Sequence, residues 1–92
     1  MPVRYTAKFR KQYGELSTVI QRKIDKAIEL LDSDFRYPGL QSHPLQGYPG
    51  IFEAYVDVKY RMTYERSGDT FIMRNVDNHD ECLKNPQASL KE

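Results

Sequence analysis

Two consecutive stretches of alternating apolar and polar residues constrain the fold of this chain more than any other feature. At 52–56, phenylalanine, alanine and valine alternate with glutamate and tyrosine, and 60–65 repeats the pattern with apolar residues at every second position. A third stretch, 70–76, is also rich in apolar residues. Alternation over this length predicts half-buried β-strands. We therefore expect three consecutive strands, joined by short turns at 57–59 and 66–69.

The two turns also predict how the strands pair. If the first turn is centred on Val58, Arg61 lies opposite Tyr55; if the second is centred in the middle of 66–69, Arg61 lies opposite Arg74. Both hairpins then divide the side chains between the same two faces. The predicted apolar face carries Phe52, Ala54, Val56, Tyr60, Met62, Tyr64, Phe71 and Met73, and the predicted polar face carries Glu53, Tyr55, Arg61, Thr63, Ile72 and Arg74. This pattern predicts an antiparallel meander with two neighbouring arginines, an arrangement that like-charge repulsion disfavours unless an acid or an anionic ligand lies nearby.

The first third of the chain predicts a strand and two helices. Residues 2–6 alternate as a short strand, and Thr6 can cap a first helix that Gly14 ends. Thr18 with Gln21 is the spacing of a capping box for a second helix. The apolar stripe of that helix is formed by Leu16, Ile20, Ile24, Ala27, Ile28 and Leu31. Two helices joined by so short a break are expected to form a hairpin that covers one face of the sheet.

These elements together predict an α+β fold. An N-terminal strand and a helical hairpin would pack on a twisted, mainly antiparallel four-stranded sheet. The segment 32–49, rich in Pro, Gly, Ser and Asp, is expected to be a loop. We predict a single domain over 1–83, followed by a C-terminal tail over 84–92 that has little apolar content.

Composition narrows the class of protein. No apolar run approaches the roughly 20 residues of a membrane span, and the N-terminal residues lack the apolar core of a secretion signal, so we expect a cytoplasmic protein with no membrane partner. The single cysteine, Cys82, fits a reducing compartment. The two histidines, His43 and His79, are far apart and show no ligand spacing, so neither a metal site nor a cofactor is expected. A net charge of +1 does not by itself indicate a nucleic-acid-binding protein.

The order of the predicted elements, and three short motifs within it, resemble the RelE/ParE toxin superfamily over about residues 2–83. The motifs are Leu-Gln-Gly at 45–47, Tyr-Arg-Met-Thr-Tyr at 60–64 and Val-Asp-Asn-His-Asp-Glu at 76–81. The resemblance implies a toxin of a type II toxin–antitoxin pair, with a cognate antitoxin as partner and a hetero-oligomer of the two. The ribonuclease branch of the superfamily cuts mRNA in the ribosomal A site without a metal, whereas the ParE branch poisons DNA gyrase.

The resemblance also suggests functional residues. Arg61 matches the strand arginine that contacts the scissile phosphate in the superfamily, and His79 falls where the ribonuclease branch often has a basic residue or a histidine. Two features depart from the pattern: the terminal aromatic residue of that branch would fall near Leu83, and the paired lysines of the RelE type would fall within 52–55. These departures favour a histidine-based variant over lysine-based chemistry.

The proposed chemistry needs a base, an acid and a cation. Attack of an RNA 2′-OH on the adjacent phosphate develops negative charge that Arg61 can bind through its forked donors. His79 can take or give a proton, as imidazoles do near neutral pH when unperturbed, and Glu53 or His43 is its natural complement as the second proton-transfer group. The predicted catalytic residues are therefore Arg61, His79 and Glu53, and the predicted substrate-binding residues are Arg74, Tyr55 and His43.

Two alternatives stay open on the sequence. Arg61 can simply pair with Glu53 across the strands, and His79 can be an ordinary turn residue. At the level of function, the alternative is a non-catalytic protein, either a ParE-like gyrase inhibitor or a decayed toxin that only binds its antitoxin. The weak net charge and the missing terminal aromatic favour this alternative, whereas Arg61 and His79 on one rim favour the nuclease.

Overall fold

The structure, a computed structural model, describes residues 2–78. Its elements are β1 (Val3–Tyr5), α1 (Ala7–Gly14), α2 (Thr18–Ser33), a 3₁₀ turn (Pro38–Leu40), β2 (His43–Pro44), β3 (Ile51–Tyr55), β4 (Tyr60–Ser67) and β5 (Thr70–Asn78). The predicted α+β fold is confirmed. His79 and the rest of 79–92 lie outside the described residues, so the domain boundary at 83 stays a prediction.

The strands form one five-stranded sheet in the order β1-β5-β4-β3-β2. β1 runs parallel to β5, and the other neighbours are antiparallel. The expected meander is present, and the sheet has one strand more than predicted. That strand, His43–Pro44, lies in the segment expected to be a loop. Two residues are too few to show alternation, and an edge strand tolerates Pro44 because its missing N–H removes no inner ladder bond.

Side-chain caps define where the helices begin. The Thr6 hydroxyl accepts a hydrogen bond from the Phe9 N–H at 3.1 Å, as predicted. The second helix is capped by Ser17, whose hydroxyl accepts from the Ile20 N–H at 3.3 Å, so the predicted capping box starting at Thr18 is wrong by one position. Ser17 has the extended backbone of a cap residue, which frees its hydroxyl to reach the first turn.

The apolar face of the sheet is confirmed. Its predicted members either are buried in the core or, like Phe52 and Tyr60, pack against it. The helices supply the opposite wall of the core through Phe9, Ile24 and Leu31. The alternating apolar side chains of the strands and the apolar stripe of α2 thus pack into one core, as the sequence predicts.

The register of one hairpin is confirmed and that of the other is wrong. Between β3 and β4, Tyr55 lies opposite Arg61 as predicted. Between β4 and β5, Arg61 lies opposite Asp77 instead of Arg74. The tight turn places Gly68, with φ of 62°, one position earlier in the turn than expected, and a β-bulge at Arg74 shifts the pairing by one more residue.

The parallel pair of β1 and β5 closes the sheet at one edge. Val3 lies opposite Phe71, and the Thr6 hydroxyl donates to the carbonyl of Arg74, 68 positions later in the chain. Beyond the end of β1, a side chain of α1 pairs with β5 in place of a strand. Gln12 Oε1 accepts a hydrogen bond from the Val76 N–H at 2.9 Å. A helix side chain therefore completes the edge where the short strand ends.

None of the helices within residues 2–78 combines the length and the apolar character that crossing a bilayer requires.

Candidate functional site

The sheet face opposite the core carries polar side chains in rows that cross the strands; we call it the polar face. In its middle row, the ladder pairs His43 with Glu53, Glu53 with Thr63, and Thr63 with Asn75. Glu53, Thr63 and Asn75 are all buried. Buried polar groups in a row across a sheet are unusual, because each must find a hydrogen-bond partner or lose free energy.

His43 and Glu53 form a pair in this row. His43 Nδ1 lies 2.8 Å from the Gln41 carbonyl oxygen, and since a carbonyl only accepts, we assign the ring proton to Nδ1. His43 Nε2 then faces Glu53 Oε1 at 3.6 Å. The His43 side chain is 54% exposed, whereas that of Glu53 is 4% exposed. The ring is therefore accessible to a ligand, and its two nitrogens lie against a carbonyl oxygen and a carboxylate oxygen.

Two buried oxygens beside this pair have no hydrogen-bond partner within residues 2–78. They are Glu53 Oε2 and Thr63 Oγ1, on side chains at directly opposed positions of β3 and β4. Leaving a buried polar atom unpaired costs about 1–3 kcal/mol. The middle row therefore contains buried hydrogen-bonding groups that the rest of residues 2–78 does not satisfy.

Arg61 and Tyr55 form the next row. Arg61 Nη1 donates to the carbonyl oxygens of Asp57, at 2.5 Å, and of Tyr60, at 3.0 Å. Its guanidinium carbon lies 4.6 Å from the centre of the Tyr55 ring. Backbone carbonyls and a cation–π contact therefore fix the position of Arg61 at the end of the sheet. Tyr55 is two residues beyond Glu53 on β3, so the two rows lie roughly 7 Å apart.

Arg74 lies on the bulge of β5 and is held by an acid. Its Nε and Nη2 contact Glu65 Oε1 at 2.8 and 2.6 Å, and its side chain is largely buried. Glu65 thus balances Arg74, whereas Arg61 lies opposite Asp77, so the two arginines are not the directly opposed pair of the predicted register. Because this carboxylate already balances part of the charge, Arg74 is less available to a phosphate than sequence alone indicated.

The turn between β3 and β4 connects Arg61 to helix α2. Asp57 accepts from Arg61 through its backbone carbonyl, and its carboxylate is bound by the Lys23 ammonium at 2.5 Å. The hydrogen bond from Lys23 holds the pKa of Asp57 below its usual value of 3.8, against a smaller opposing effect of desolvation. Asp57 therefore links Lys23 of helix α2 to Arg61.

The structure brings together most of the predicted site residues. Glu53, His43, Tyr55 and Arg61 share two adjacent rows, Arg74 lies beside Glu65, and His79 is outside the described residues. Sequence reasoning missed the roles of Glu65 and Lys23. The like charges at 61 and 74 were a sign that an acid such as Glu65 was needed, but nothing in the sequence pointed to Lys23. Within residues 2–78, no three His, Cys, Asp or Glu side chains converge as metal ligands.

Comparison with known proteins gives a clear result for the fold. No protein-family model matches the chain, and no curated protein matches it in sequence. Among solved structures, a YoeB/ParE toxin from Agrobacterium tumefaciens is similar with a TM-score of 0.74 and 18% identity, over 86% of this chain and 99% of that one.

Two antitoxin–toxin complexes are similar as well. A chain of the DinJ–YafQ complex of E. coli has a TM-score of 0.68 and 18% identity, over 86% of this chain and 93% of that one. A chain of the RelB–RelE complex of Methanococcus jannaschii has a TM-score of 0.68 and 20% identity, over 88% and 95%. The chain therefore has the fold of RelE/ParE-like toxins, as the order of its elements predicted.

Proposed function

We propose that this chain is the toxin of a type II toxin–antitoxin pair and that it cleaves mRNA in the ribosomal A site, in the cytoplasm, without a metal or other cofactor. The observation that carries the proposal is the polar face, where Arg61 and the His43–Glu53 pair occupy adjacent rows of one sheet. The shared fold supports it, since similar structures include toxins solved with their antitoxins. The cognate antitoxin would be the protein partner.

The reaction is an attack of the RNA 2′-oxygen on the adjacent phosphorus. A base removes the 2′-OH proton, the new P–O bond forms a cyclic phosphate, and the bond to the 5′-oxygen breaks as an acid protonates it. Arg61 is suited to the negative charge that develops on the phosphate oxygens, because its forked donors match two of them. Preorganisation by two backbone carbonyls keeps this cation in place before the substrate arrives.

Proton transfer is assigned to histidine. The His43 side chain is half-exposed and its Nε2 lies 3.6 Å from Glu53 Oε1, so in this proposal the imidazole and the carboxylate transfer the proton as one unit. His79 is the second proton-transfer group in this proposal, on the basis of its sequence position alone. Tyr55 stacks on Arg61 and offers a ring edge to a base, whereas Arg74 has a secondary role beside Glu65.

Induced expression in a bacterial host tests the proposal, with growth and mRNA 5′ ends measured together. Wild type should arrest growth and produce new cleavage ends in translated mRNA. Arg61→Ala, His43→Gln and His79→Ala should each lose the ends, whereas Arg10→Ala, which removes an exposed cation from α1, should keep them. Cleavage that is equal in wild type and Arg61→Ala would overturn the proposal.

A gyrase inhibitor is the second candidate. The favouring observation is that the arginines of the polar face already have protein partners, Arg61 on carbonyls and Arg74 on Glu65. Growth arrest without new mRNA ends, together with inhibited supercoiling by purified gyrase, would favour this candidate. Absence of both effects, with retained antitoxin binding, would indicate a decayed toxin that serves only as a binding module.

A further inference from the structure

A groove of about 470 Å³ lies between helix α2 and the β3–β4 turn. We call it the α2 groove and define it by five of its lining residues, the cations Arg22, Lys23 and Lys26 and the tyrosines Tyr37 and Tyr55. Positive charge and aromatic rings on one concave surface are the two features with which proteins hold single-stranded nucleic acid. Of these five residues, only Tyr55 takes part in the proposed RNA chemistry.

The positive charge of the α2 groove is only partly balanced. Lys23 binds the carboxylate of Asp57, the acid in the lining, at 2.5 Å. Arg22 and Lys26 are both exposed, and neither forms an ion pair within residues 2–78. They are four residues apart, which places them on one side of α2 and about 6 Å apart along its axis. A phosphate between them can therefore contact both side chains.

Tyr37 gives the groove an aromatic ring that the loop after α2 holds in place. Its N–H donates to the Asp34 carbonyl at 2.9 Å, and its carbonyl accepts from the N–H of the buried Leu40 at 3.0 Å. The ring lies against Gly39, where a Cβ would be only 2.8 Å from Tyr37 Cε1. Tyr37 is nevertheless 45% exposed. A ring that is held in position but left uncovered is suited to stack on a base.

We propose that the α2 groove is a nucleotide-binding site, in which the base stacks on Tyr37 and the phosphate lies between Arg22 and Lys26. Two sources supply this chemistry, a free nucleotide and one unit of an RNA chain. Tyr55 favours the second source, because it lines the groove and its ring also lies 4.6 Å from the guanidinium carbon of Arg61. We therefore assign the site to the RNA nucleotide next to the one whose phosphate Arg61 contacts, and in this respect the inference rests on the proposed function.

RNA binding to the purified full chain tests the site. The probe is a fluorescent 2′-O-methyl tetranucleotide, followed by anisotropy at several salt concentrations; it has no free 2′-OH, so the proposed cleavage does not consume it. Arg22→Gln/Lys26→Gln should weaken binding about tenfold or more and reduce the dependence of affinity on salt, because phosphate contacts are lost. Arg10→Gln/Lys11→Gln removes the same charge from exposed positions of α1 and should leave the affinity within about twofold. Equal weakening in the two double variants would overturn the site, because it would show that only net charge matters.

The stacking contact is tested at Tyr37 and Gly39. Tyr37→Leu should weaken binding of the tetranucleotide about tenfold, because leucine offers no aromatic face to a base. Gly39→Ala keeps the ring but displaces it, so this variant should also bind more weakly than the wild type. Tyr5→Leu, at a tyrosine that is 39% exposed on β1, should leave the affinity within about twofold. Circular dichroism confirms that the variants fold.

An abasic tetranucleotide separates stacking from other effects of Tyr37→Leu. It has phosphates but no bases, so it should bind the wild type and Tyr37→Leu with equal affinity. Weaker binding of the abasic probe to Tyr37→Leu, or unchanged binding of the intact probe, would overturn the contact between Tyr37 and the base.

Free nucleotides distinguish the two sources. AMP and ATP, in competition with the tetranucleotide, should bind at least about tenfold more weakly than it does, because a single nucleotide in the groove makes no phosphate contact with Arg61. Arg61→Ala should weaken the tetranucleotide and leave AMP unchanged. ATP that binds as tightly as the tetranucleotide would overturn the assignment to RNA. A chain that binds as expected but does not cut mRNA contradicts the proposed function alone, and one that cuts mRNA but binds the probe equally in all variants contradicts this inference alone.

Discussion

The two faces of the same strands differ in how well their buried side-chain atoms are packed or hydrogen-bonded. On the helix side, residues such as Met62, Tyr64 and Phe71 are fully buried in one apolar cluster. On the polar face, the equally buried Glu53 and Thr63 each keep an oxygen without a partner within residues 2–78. Alternate residues of one strand thus serve two purposes: one set stabilises the domain, and the other holds polar groups at some cost in stability, as sites for binding and chemistry do.

The largest effect is expected from a truncation on the apolar face. Phe71→Ala should lower the free energy of unfolding by about 3–5 kcal/mol, because it removes a fully buried ring that packs on Phe35 and Tyr64. Ile72→Ala, one residue along and only half-buried, should cost about 1 kcal/mol. Urea unfolding of both variants measures the difference. Equal losses of stability in the two variants would show that the two faces of the sheet contribute equally to the free energy of unfolding.

Arg61→Ala should have a large effect on activity and only a small effect on stability. Under the proposed function, mRNA cleavage in a translating extract should fall about 10²–10³-fold, because the cation that faces the phosphate is lost. The free energy of unfolding should fall by only about 1 kcal/mol, the value of its hydrogen bonds and its contact with Tyr55. A loss of stability as large as that of Phe71→Ala would make Arg61 a structural residue.

Glu53→Gln tests whether a buried carboxylate on the polar face serves activity and not stability. Cleavage should fall by about 10²-fold, since an amide does not stabilise a protonated His43 as a carboxylate does. Stability should stay within about 1 kcal/mol of the wild type, or rise, because a neutral amide costs less to bury than a charge. Cleavage rates and urea unfolding on the same preparation provide the check. Unchanged cleavage would remove Glu53 from the site.

The smallest effect is expected for the ion pair between Lys23 and Asp57, in the dependence of stability on pH. The pKa of Asp57 in the folded protein lies below 3.8, so its ion pair with Lys23 stabilises the fold above that pH and is lost as pH falls through the folded value. Lys23→Met should therefore flatten the fall in stability below about pH 4. Unfolding curves of both proteins across this range test it, and parallel curves would show that the pair contributes only to the position of the turn.

The strand faces could be predicted from the sequence more securely than the register. The β4–β5 turn is displaced by one position, which shifts the pairing by two residues next to the turn and leaves Phe71, Ile72 and Met73 on their predicted faces. The bulge adds a further residue, so that Arg61 lies opposite Asp77, three positions beyond Arg74. Serine, glycine and aspartate at 67–69 suit either placement of the turn, so local chemistry could not decide between them. The bulge at Arg74 depends on packing across the sheet and has no local signature.

The candidate site was predictable as a set of residues but not as an arrangement. Tyr55 and Arg61 were correctly paired because the first turn has a single symmetric centre. Glu53 and His43 were considered as alternatives for one role, and the structure pairs them, because the two-residue strand His43–Pro44 brings the loop back to the sheet edge. A strand that short appears only once its partner is in place.

The parallel pairing of β1 with β5 has a consequence for biosynthesis. Thr6 and Arg74 are 68 positions apart. A ribosome that adds about 5–20 residues per second needs roughly 3–14 s to deliver the second after the first. Throughout that interval β1 has no strand to pair with, so this segment of the nascent chain is exposed to association with its neighbours. Only when β5 emerges can both ends of the domain meet and close the sheet.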